Sequence, residues 1–342
     1  MKVDYQLDVA PGRVLQAARH VEDEGYDGVS LIEAAHDPFL AAALVASATS
    51  RAQVSTGIAV AFARSPMTLA VTANDLQLLS QGRFLLGLGS QVKAHITRRF
   101  SMPWSQPAAR MRELVMATRA IWRTWNEGVP LEFEGEFYRH TLMTPMFNPG
   151  PNPHGAPGIL LAGVGAAMTQ VAGQVADGLL CHGFTTERYL REVTLPGVAA
   201  ARASVGRSMD GFEVGGMPFV VTGADEREMA AVKQATKEQL AFYASTPAYR
   251  PVLDLHGWGE LQTELTVMSK AGRWREMGDL VDDELLNTVA VVAEPSGVAA
   301  EIERRYGDLF TRAQLYVKGP LSDDVRRAVV AELRGLAPSA PR

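Results

Sequence analysis

The chain has 342 residues, 47% hydrophobic and 21% charged, so it can bury a large core in one domain or two. A formal net charge of −5 argues against a nucleic acid or an anionic membrane surface as the main partner. The single cysteine, Cys181, excludes an internal disulfide and a cysteine-based zinc site.

The chain begins Met1-Lys2-Val3-Asp4, which is typical of a polar strand rather than a signal sequence. Every apolar run is interrupted by Asp, Arg or Gln before it reaches the ~20 residues that span a bilayer. We therefore expect a cytoplasmic protein with no membrane segment, and the sequence predicts no metal site.

Short β-rich runs alternate with helix-length amphipathic segments, which is the pattern of a parallel sheet built from βα units. The predicted strands are Lys2 to Asp8, Gly28 to Ile32, Gln53 to Phe62, Arg83 to Leu88, Ile159 to Leu161, Gly178 to Cys181, Phe212 to Val221 and Arg312 to Val317. The predicted helices are Gly12 to Glu24, Phe39 to Thr49, Pro66 to Leu79, Pro107 to Trp125, Ala166 to Ala176, Thr186 to Val205, Asp225 to Ala244 and Pro295 to Tyr306. This α/β pattern predicts a (β/α)₈ TIM barrel, which takes about 250 residues before insertions.

The remaining length predicts two insertions in a single domain over residues 1–342. Residues 128–157 hold a short alternating run that predicts a hairpin, followed by a loop rich in Pro, Asn and Gly. Residues 245–286 predict extra helices over the barrel mouth, and residues 337–342 are expected to form a frayed tail.

The segment from Arg83 to Gln91 predicts a buried strand that ends at Gly87 and Gly89 and then offers polar atoms. Ligand sites in parallel α/β folds lie at such strand ends. The following residues 92–100 are crowded with cationic and hydrogen-bonding groups, which favours an anionic ligand. If they form a helical turn, His95 shares a face with Arg98 or Arg99, although a solvated basic loop is equally compatible with the two arginines.

The order and spacing of several motifs resemble the bacterial luciferase-like barrels, and within them the branch that uses the deazaflavin coenzyme F420. These motifs are Glu33 to Pro38, Thr56-Gly57-Ile58 through Arg64-Ser65-Pro66, Gly87-Leu88-Gly89-Ser90, Ala162-Gly163-Val164-Gly165 and Ala176-Asp177-Gly178. The resemblance implies coenzyme F420 as the cofactor, with FMN as the alternative. It implies cofactor contacts from Glu33, Gly57, Ile58, Ala59, Ser90, Gln91, His95, Val164, Gly165, Ala167 and Met168.

Two of these contacts have structural alternatives. The resemblance implies a cis peptide at Gly57-Ile58, pressed against the cofactor ring, although Gly57 could simply relieve crowding in a barrel strand. Small residues from Ala162 to Ala167 leave backbone N–H groups free at a helix start, where the resemblance places the cofactor phosphate. That connection could also carry no ligand, and Met168 excludes a dinucleotide fingerprint there.

The resemblance also shows departures at the positions that carry chemistry. Relatives have a histidine proton donor where this chain has Ala34, so the displaced His36 is a candidate donor or a helix cap beside Asp37. A related sugar-phosphate dehydrogenase has a glutamate where this chain has Val92, so sugar-phosphate oxidation is not expected. His95 is the second candidate catalytic residue.

The substrate site is expected after the sixth strand. His182 and Thr185 occupy the positions where the sugar-phosphate enzyme grips a phosphate, but the matching lysine is absent. We therefore expect a less anionic organic substrate, bound by His182, Thr185 and Arg98, with Phe184 and Trp104 offering apolar contact. His182 is a third possible proton donor.

These observations support three functional hypotheses. The first is an F420-dependent oxidoreductase that transfers a hydride between reduced deazaflavin and an organic acceptor with an activated C=C or C=N bond. The second is an FMN-dependent monooxygenase of the luciferase type, and the third is a non-catalytic barrel that binds cofactor. Barrel relatives commonly dimerise, so a homodimer is expected.

Overall fold

Eight short strands pair in parallel and close into a barrel in the computed structural model, which describes residues 1–335. The strands are β1 (Lys2–Leu7), β2 (Gly28–Leu31), β3 (Gln53–Thr56), β4 (Phe84–Gly89), β5 (Gly158–Gly163), β6 (Gly178–Cys181), β7 (Glu213–Gly216) and β8 (Arg312–Gln314). Lys2 pairs with Arg312, which joins β8 to β1 and closes the barrel. This confirms the predicted (β/α)₈ fold. The predicted tail, 337–342, lies outside the described residues.

One helix follows each barrel strand along the chain. These helices are α1 (Val14–Asp23), α2 (Pro38–Ala48), α3 (Pro66–Leu79), α4 (Pro107–Glu127), α5 (Ala166–Val175), α6 (Leu195–Ala203), α7 (Pro295–Tyr306) and α8 (Asp323–Gly335). Proline occupies the first turn of α2 and α3, where its missing N–H costs no hydrogen bond, and Asp37 and Ser65 cap these helices. The sequence patterns did not predict α8.

The connections contain shorter helical segments. They are Pro11–Arg13, Ala61–Ala63, Lys93–Arg98, Pro145–Phe147, Glu187–Tyr189 and the π-helical turn Leu190–Thr194. A strand of two residues, Ala59–Val60, continues β3 and pairs with β4. Within residues 128–157, Phe133–Glu134 and Arg139–His140 form the predicted antiparallel hairpin. The Glu113 carboxylate holds this hairpin against α4 by accepting three of its backbone N–H groups.

Residues 219–292, which we call the inserted segment, lie between β7 and α7 and form a second hydrophobic core beside the barrel. The predicted strand from Phe212 to Val221 is split: Phe219–Val221 leaves the barrel and pairs in parallel with Ala290–Val292. The intervening helical segments are Glu226–Ala244, Pro247–Tyr249, Arg250–Leu255, Gly259–Lys270, Trp274–Met277, Gly278–Leu280 and Asp283–Val289. Helix Glu226–Ala244, predicted as a barrel helix, therefore belongs to this segment, because its buried face packs on the second core.

Candidate active site

A cavity lies inside the barrel and reaches the carboxyl ends of the strands. Of the predicted site residues, Gly57, Ile58, Val164 and His182 line it. The cavity extends down to polar side chains on β1, β2, β3 and β8, namely Asp4, Ser30, Ser55, Arg312 and Gln314. In this fold, active sites lie at the carboxyl ends of the strands, so this cavity is the candidate active site.

The peptide bond between Gly57 and Ile58 is cis, as the resemblance implies. Gly57 N–H donates to Leu31 O at 2.7 Å, and Glu33 N–H donates to Ile58 O at 3.3 Å. A side chain at position 57 would also collide with Ser30, since an added Cβ would lie 2.1 Å from Ser30 Oγ. The crowding over β2 therefore favours glycine here, because a larger residue would have to displace the Ser30 side chain.

The Glu33 carboxylate is engaged by the protein itself. Its side chain is 7% exposed, Oε2 accepts the Val60 N–H at 2.7 Å, and Arg64 Nη1 donates to the same oxygen at 2.6 Å. Arg64 also binds Asp37, whose carboxylate caps α2. Glu33 thus supports the chain on the far side of the Gly57-Ile58 bond, and Ala59 lies buried between these anchors.

His36 is exposed and makes no hydrogen bond or ring contact with the described residues. The cap of α2 is Asp37, which accepts the N–H groups of Phe39 and Leu40. The capping role considered for His36 is therefore wrong. Its imidazole is open to solvent beside the barrel mouth, and its catalytic role stays a prediction.

The segment after β4 forms the helical turn expected for its basic residues, Lys93–Arg98. Ser90 and Gln91 are half-buried, and Gln91 has a φ of +57°, in the left-handed region. His95 and Arg98 are exposed on this turn at the expected spacing. Arg99 donates to Ala34 O at 2.7 Å, which ties this segment to the connection after β2.

The connection from β5 to α5 leaves backbone donors open. Gly165 is the N-cap of α5 and offers no side-chain cap. The N–H groups of Gly165, Ala166 and Ala167 have no acceptor among the described residues, and an added Cβ on Gly165 would meet nothing within 4 Å. Ala167 is exposed and Met168 half-buried. Open N–H groups at a helix start suit an anion such as phosphate.

His182 lies at the end of β6 in an aromatic environment. Its Nδ1 accepts the Phe184 N–H at 3.0 Å, and its ring centroid is 4.6 Å from that of Tyr243 and 4.8 Å from that of Tyr249. Burial lowers the pKa of His182 to about 4, so the imidazole is neutral at neutral pH. His182 therefore cannot act there as an imidazolium proton donor.

The other expected substrate residues lie in different surroundings. Thr185 is half-buried and its N–H donates to Gly183 O. Phe184 is 1% exposed and belongs to the second core, so the expected apolar contact from this residue to a substrate is wrong. Trp104 is half-buried and packs edge-on against Phe62.

Cys181 lines the cavity, but burial raises the pKa of its thiol to about 12. Since the thiolate is the reactive form, iodoacetamide at pH 8 is expected to leave native Cys181 unmodified and to alkylate it fully in denaturant. Intact-mass spectrometry measures both. Stoichiometric alkylation of the folded protein would show that the thiol is open to the cavity mouth.

The sequence patterns missed a buried ion-pair layer at the floor of the cavity. Arg312 is 3% exposed and pairs with Asp4 Oδ2 at 2.8 Å and with Glu213 Oε2 at 2.8 Å, while its remaining nitrogen donates to Gln53. Burial raises the pKa of Asp4 despite the neighbouring Arg312. A signal existed in the sequence, because polar residues alternate along β1 and β8 at Asp4 and Gln6 and at Arg312 and Gln314.

Residues 2–312 match the model of the luciferase-like monooxygenase family. The chain belongs to this family. One relative is the Mycobacterium tuberculosis protein Rv1360, which is 50% identical over 305 residues. The match covers 89% of this chain and 90% of that protein. The 5,10-methylenetetrahydromethanopterin reductase of Archaeoglobus fulgidus is 25% identical over 78% of this chain and 76% of its own length.

Among solved structures, the luciferase-like barrel of this chain resembles the coenzyme F420 dependent tetrahydromethanopterin reductase of Methanopyrus kandleri. The TM-score is 0.75 with 21% identity, and 97% of each chain is covered. At this identity the likeness shows the shared fold. In the described part of the chain, no helix is long and apolar enough to cross a membrane. No group of three or more His, Cys, Asp or Glu side chains there could hold a metal ion.

Proposed function

We propose that this protein is an F420-dependent oxidoreductase that transfers a hydride between reduced deazaflavin and an organic acceptor with an activated C=C or C=N bond. The main support for the proposal is that two features suited to a cofactor lie together at the barrel mouth. The Gly57-Ile58 segment lines a cavity inside the barrel, and the open start of α5 follows Val164, which lines the same cavity. A structural relative named as F420-dependent supports the choice of cofactor.

The residues present fit such a cofactor. Gly165 has open space around it, and the neighbouring N–H groups have no acceptor among the described residues, which suits the phosphate of a cofactor side chain. Ile58, Ala162 and Val164 give an apolar wall suited to a flat ring. Exposed His95 and Arg98 add positive charge or hydrogen-bond donors near the mouth, suited to acidic groups.

Reduced deazaflavin supplies a hydride and reacts poorly with oxygen, because carbon replaces the reactive nitrogen of flavin. The protein's task is then to orient the acceptor and to supply a proton. His36 and His95 are the proposed proton donors, because both are exposed at the mouth whereas His182 is held neutral. Ser90, Gln91, Ala167 and Met168 are proposed to border the cofactor.

Titration of the protein with oxidised F420 and, separately, with FMN tests this proposal. We expect F420 to be preferred and the Gly165→Asp variant to bind it at least about 10-fold more weakly, because the new carboxylate repels the phosphate at the start of α5. The cofactor's own fluorescence reports binding.

Gly165→Ala is the matched control, since it adds the same Cβ without charge and should bind F420 as the wild type does. Preference for FMN would replace the proposal with the luciferase-type monooxygenase. Binding of neither cofactor would reject both enzyme functions, and F420 binding without turnover of any unsaturated acceptor would leave a cofactor-binding barrel.

A further inference from the structure

The inserted segment surrounds His182 with aromatic rings. Tyr243 lies on helix Glu226–Ala244 and Tyr249 on the turn Pro247–Tyr249, and both contact the His182 ring. Tyr243 meets it edge-on, with an interplanar angle of 89°, and Tyr249 is tilted by 34°. The two rings also contact each other, so the imidazole is held in one orientation by a packed cluster.

The hydrogen bonds of His182 determine which ring nitrogen carries the proton. Nδ1 accepts the Phe184 N–H, so the proton of the neutral ring is on Nε2. Nε2 has no hydrogen-bond partner among the described residues, and His182 lines the cavity. Because His182 lines the cavity, Nε2–H is the donor that this residue can offer to a ligand there.

The cavity offers no free positive charge. Among the residues that line it, only Asp4 and Arg312 carry a full charge, and they bind each other at 2.8 Å. The other lining side chains are apolar or uncharged, with Ile58, Leu160, Leu180 and Met217 beside Ser30, Ser55 and Gln314. An anionic substrate would lose its hydration here without gaining a cation, which is costly.

We infer that His182 selects uncharged carbonyl compounds as the acceptors of this enzyme, with the carbonyl oxygen accepting a hydrogen bond from Nε2–H. The inference rests on the proposed function, which identifies the cavity as the acceptor site, and it concerns only which class of acceptor binds there. Tyr243 and Tyr249 are positioning residues that keep the imidazole neutral and oriented. The inserted segment thereby sets the substrate class.

The test uses two probes of equal ring size, cyclohex-2-enone and its 3-carboxylate, each titrated with the protein alone and with the protein saturated with oxidised F420. Ligand-observed NMR gives the affinities, and a ¹³C label at the ketone reports its hydrogen bond by a downfield shift. We expect the carboxylate to bind at least about 10-fold more weakly than the enone. Equal or tighter binding of the carboxylate would overturn the inference.

Two variants locate the hydrogen bond. His182→Phe keeps a packed ring but removes the donor, and it should lose about 10-fold in enone affinity together with the ¹³C shift. His182→Gln retains an N–H donor and should recover part of both. An unchanged ¹³C shift in His182→Phe would overturn the assignment.

A measurement on the wild-type protein tests the inference even if the variants do not fold. The ¹⁵N spectrum of His182 should show the neutral Nε2–H form from pH 5.5 to 8, and an imidazolium at pH 7 would overturn the inference. These readouts do not depend on turnover. Failure of F420 to bind therefore counts against the proposed function, whereas enone binding independent of His182 counts against this inference.

Discussion

Replacement of Arg312 by methionine is expected to lower the free energy of unfolding by about 3–5 kcal/mol, which is the typical cost of removing one partner from a buried ion pair. Arg312 is 3% exposed and holds Asp4 and Glu213 inside the barrel. Without it, the Asp4 carboxylate stays buried near Glu213 without its cation, while Glu213 keeps its ion pair with Lys2 at 3.4 Å. Urea unfolding at pH 7 measures the loss.

The loss should depend on pH. Burial already raises the pKa of Asp4, and removal of Arg312 raises it further, since Arg312 is the group that lowers it. A raised folded pKa means that ionisation costs stability as the pH rises above the unfolded value of 3.8. The difference between variant and wild type should therefore shrink as the pH falls towards 4.

Two controls separate burial from charge. Arg312→Lys keeps the charge but lacks the planar guanidinium whose three nitrogens reach Asp4, Glu213 and Gln53, so an intermediate loss is expected. Arg139→Met breaks an ion pair with Glu134 in which both side chains are more than half exposed, and it should cost less than about 0.5 kcal/mol. A loss under about 1 kcal/mol for Arg312→Met would mean that water fills the floor of the cavity and solvates the carboxylates.

The barrel was predictable because its signals are local. Apolar runs ending in glycine marked β4 and β5, and Asp-Pro and Ser-Pro pairs marked the starts of α2 and α3. Helix α8 carried a signal of the same kind, since Val325, Val329 and Leu333 repeat at four-residue spacing on its buried face. The predicted helices nevertheless end with Pro295 to Tyr306, before this segment.

The polar alternation along β1 and β8 is visible in the sequence, but the ion pairs at the floor of the cavity were not predictable, because they join residues distant in the chain. Asp4 and Arg312 are 308 positions apart, and neither suggests a partner until the barrel closes. The lowered pKa of His182 is similar, since it follows from burial, and Tyr243 and Tyr249 of the distant inserted segment are among the rings packed on this imidazole. The sequence placed His182 at the mouth but could not show that it is neutral there.

Whether Glu33 contacts the cofactor or supports the chain beside it stays a prediction, and Glu33→Leu is the second variant with a large expected effect. Leucine removes the acceptor of the Val60 N–H and leaves Arg64 without its 2.6 Å partner. A loss of about 3 kcal/mol in stability is expected, since both groups are largely buried. The affinity of this variant for F420 should also fall at least about 10-fold, because Glu33 supports the segment that contains Gly57 and Ile58, which line the cavity.

Glu33→Gln distinguishes support from direct contact. Its amide oxygen can still accept the Val60 N–H, so F420 affinity should stay within about 3-fold of wild type while stability falls by about 1–2 kcal/mol. If the Glu33 carboxylate instead contacts the cofactor, both variants will lose affinity alike. Parallel fluorescence titrations and urea unfolding of the two variants decide between these roles. Because the carboxylate already has two partners within the protein, we expect affinity to follow the position of residues 57–60 rather than the charge at position 33.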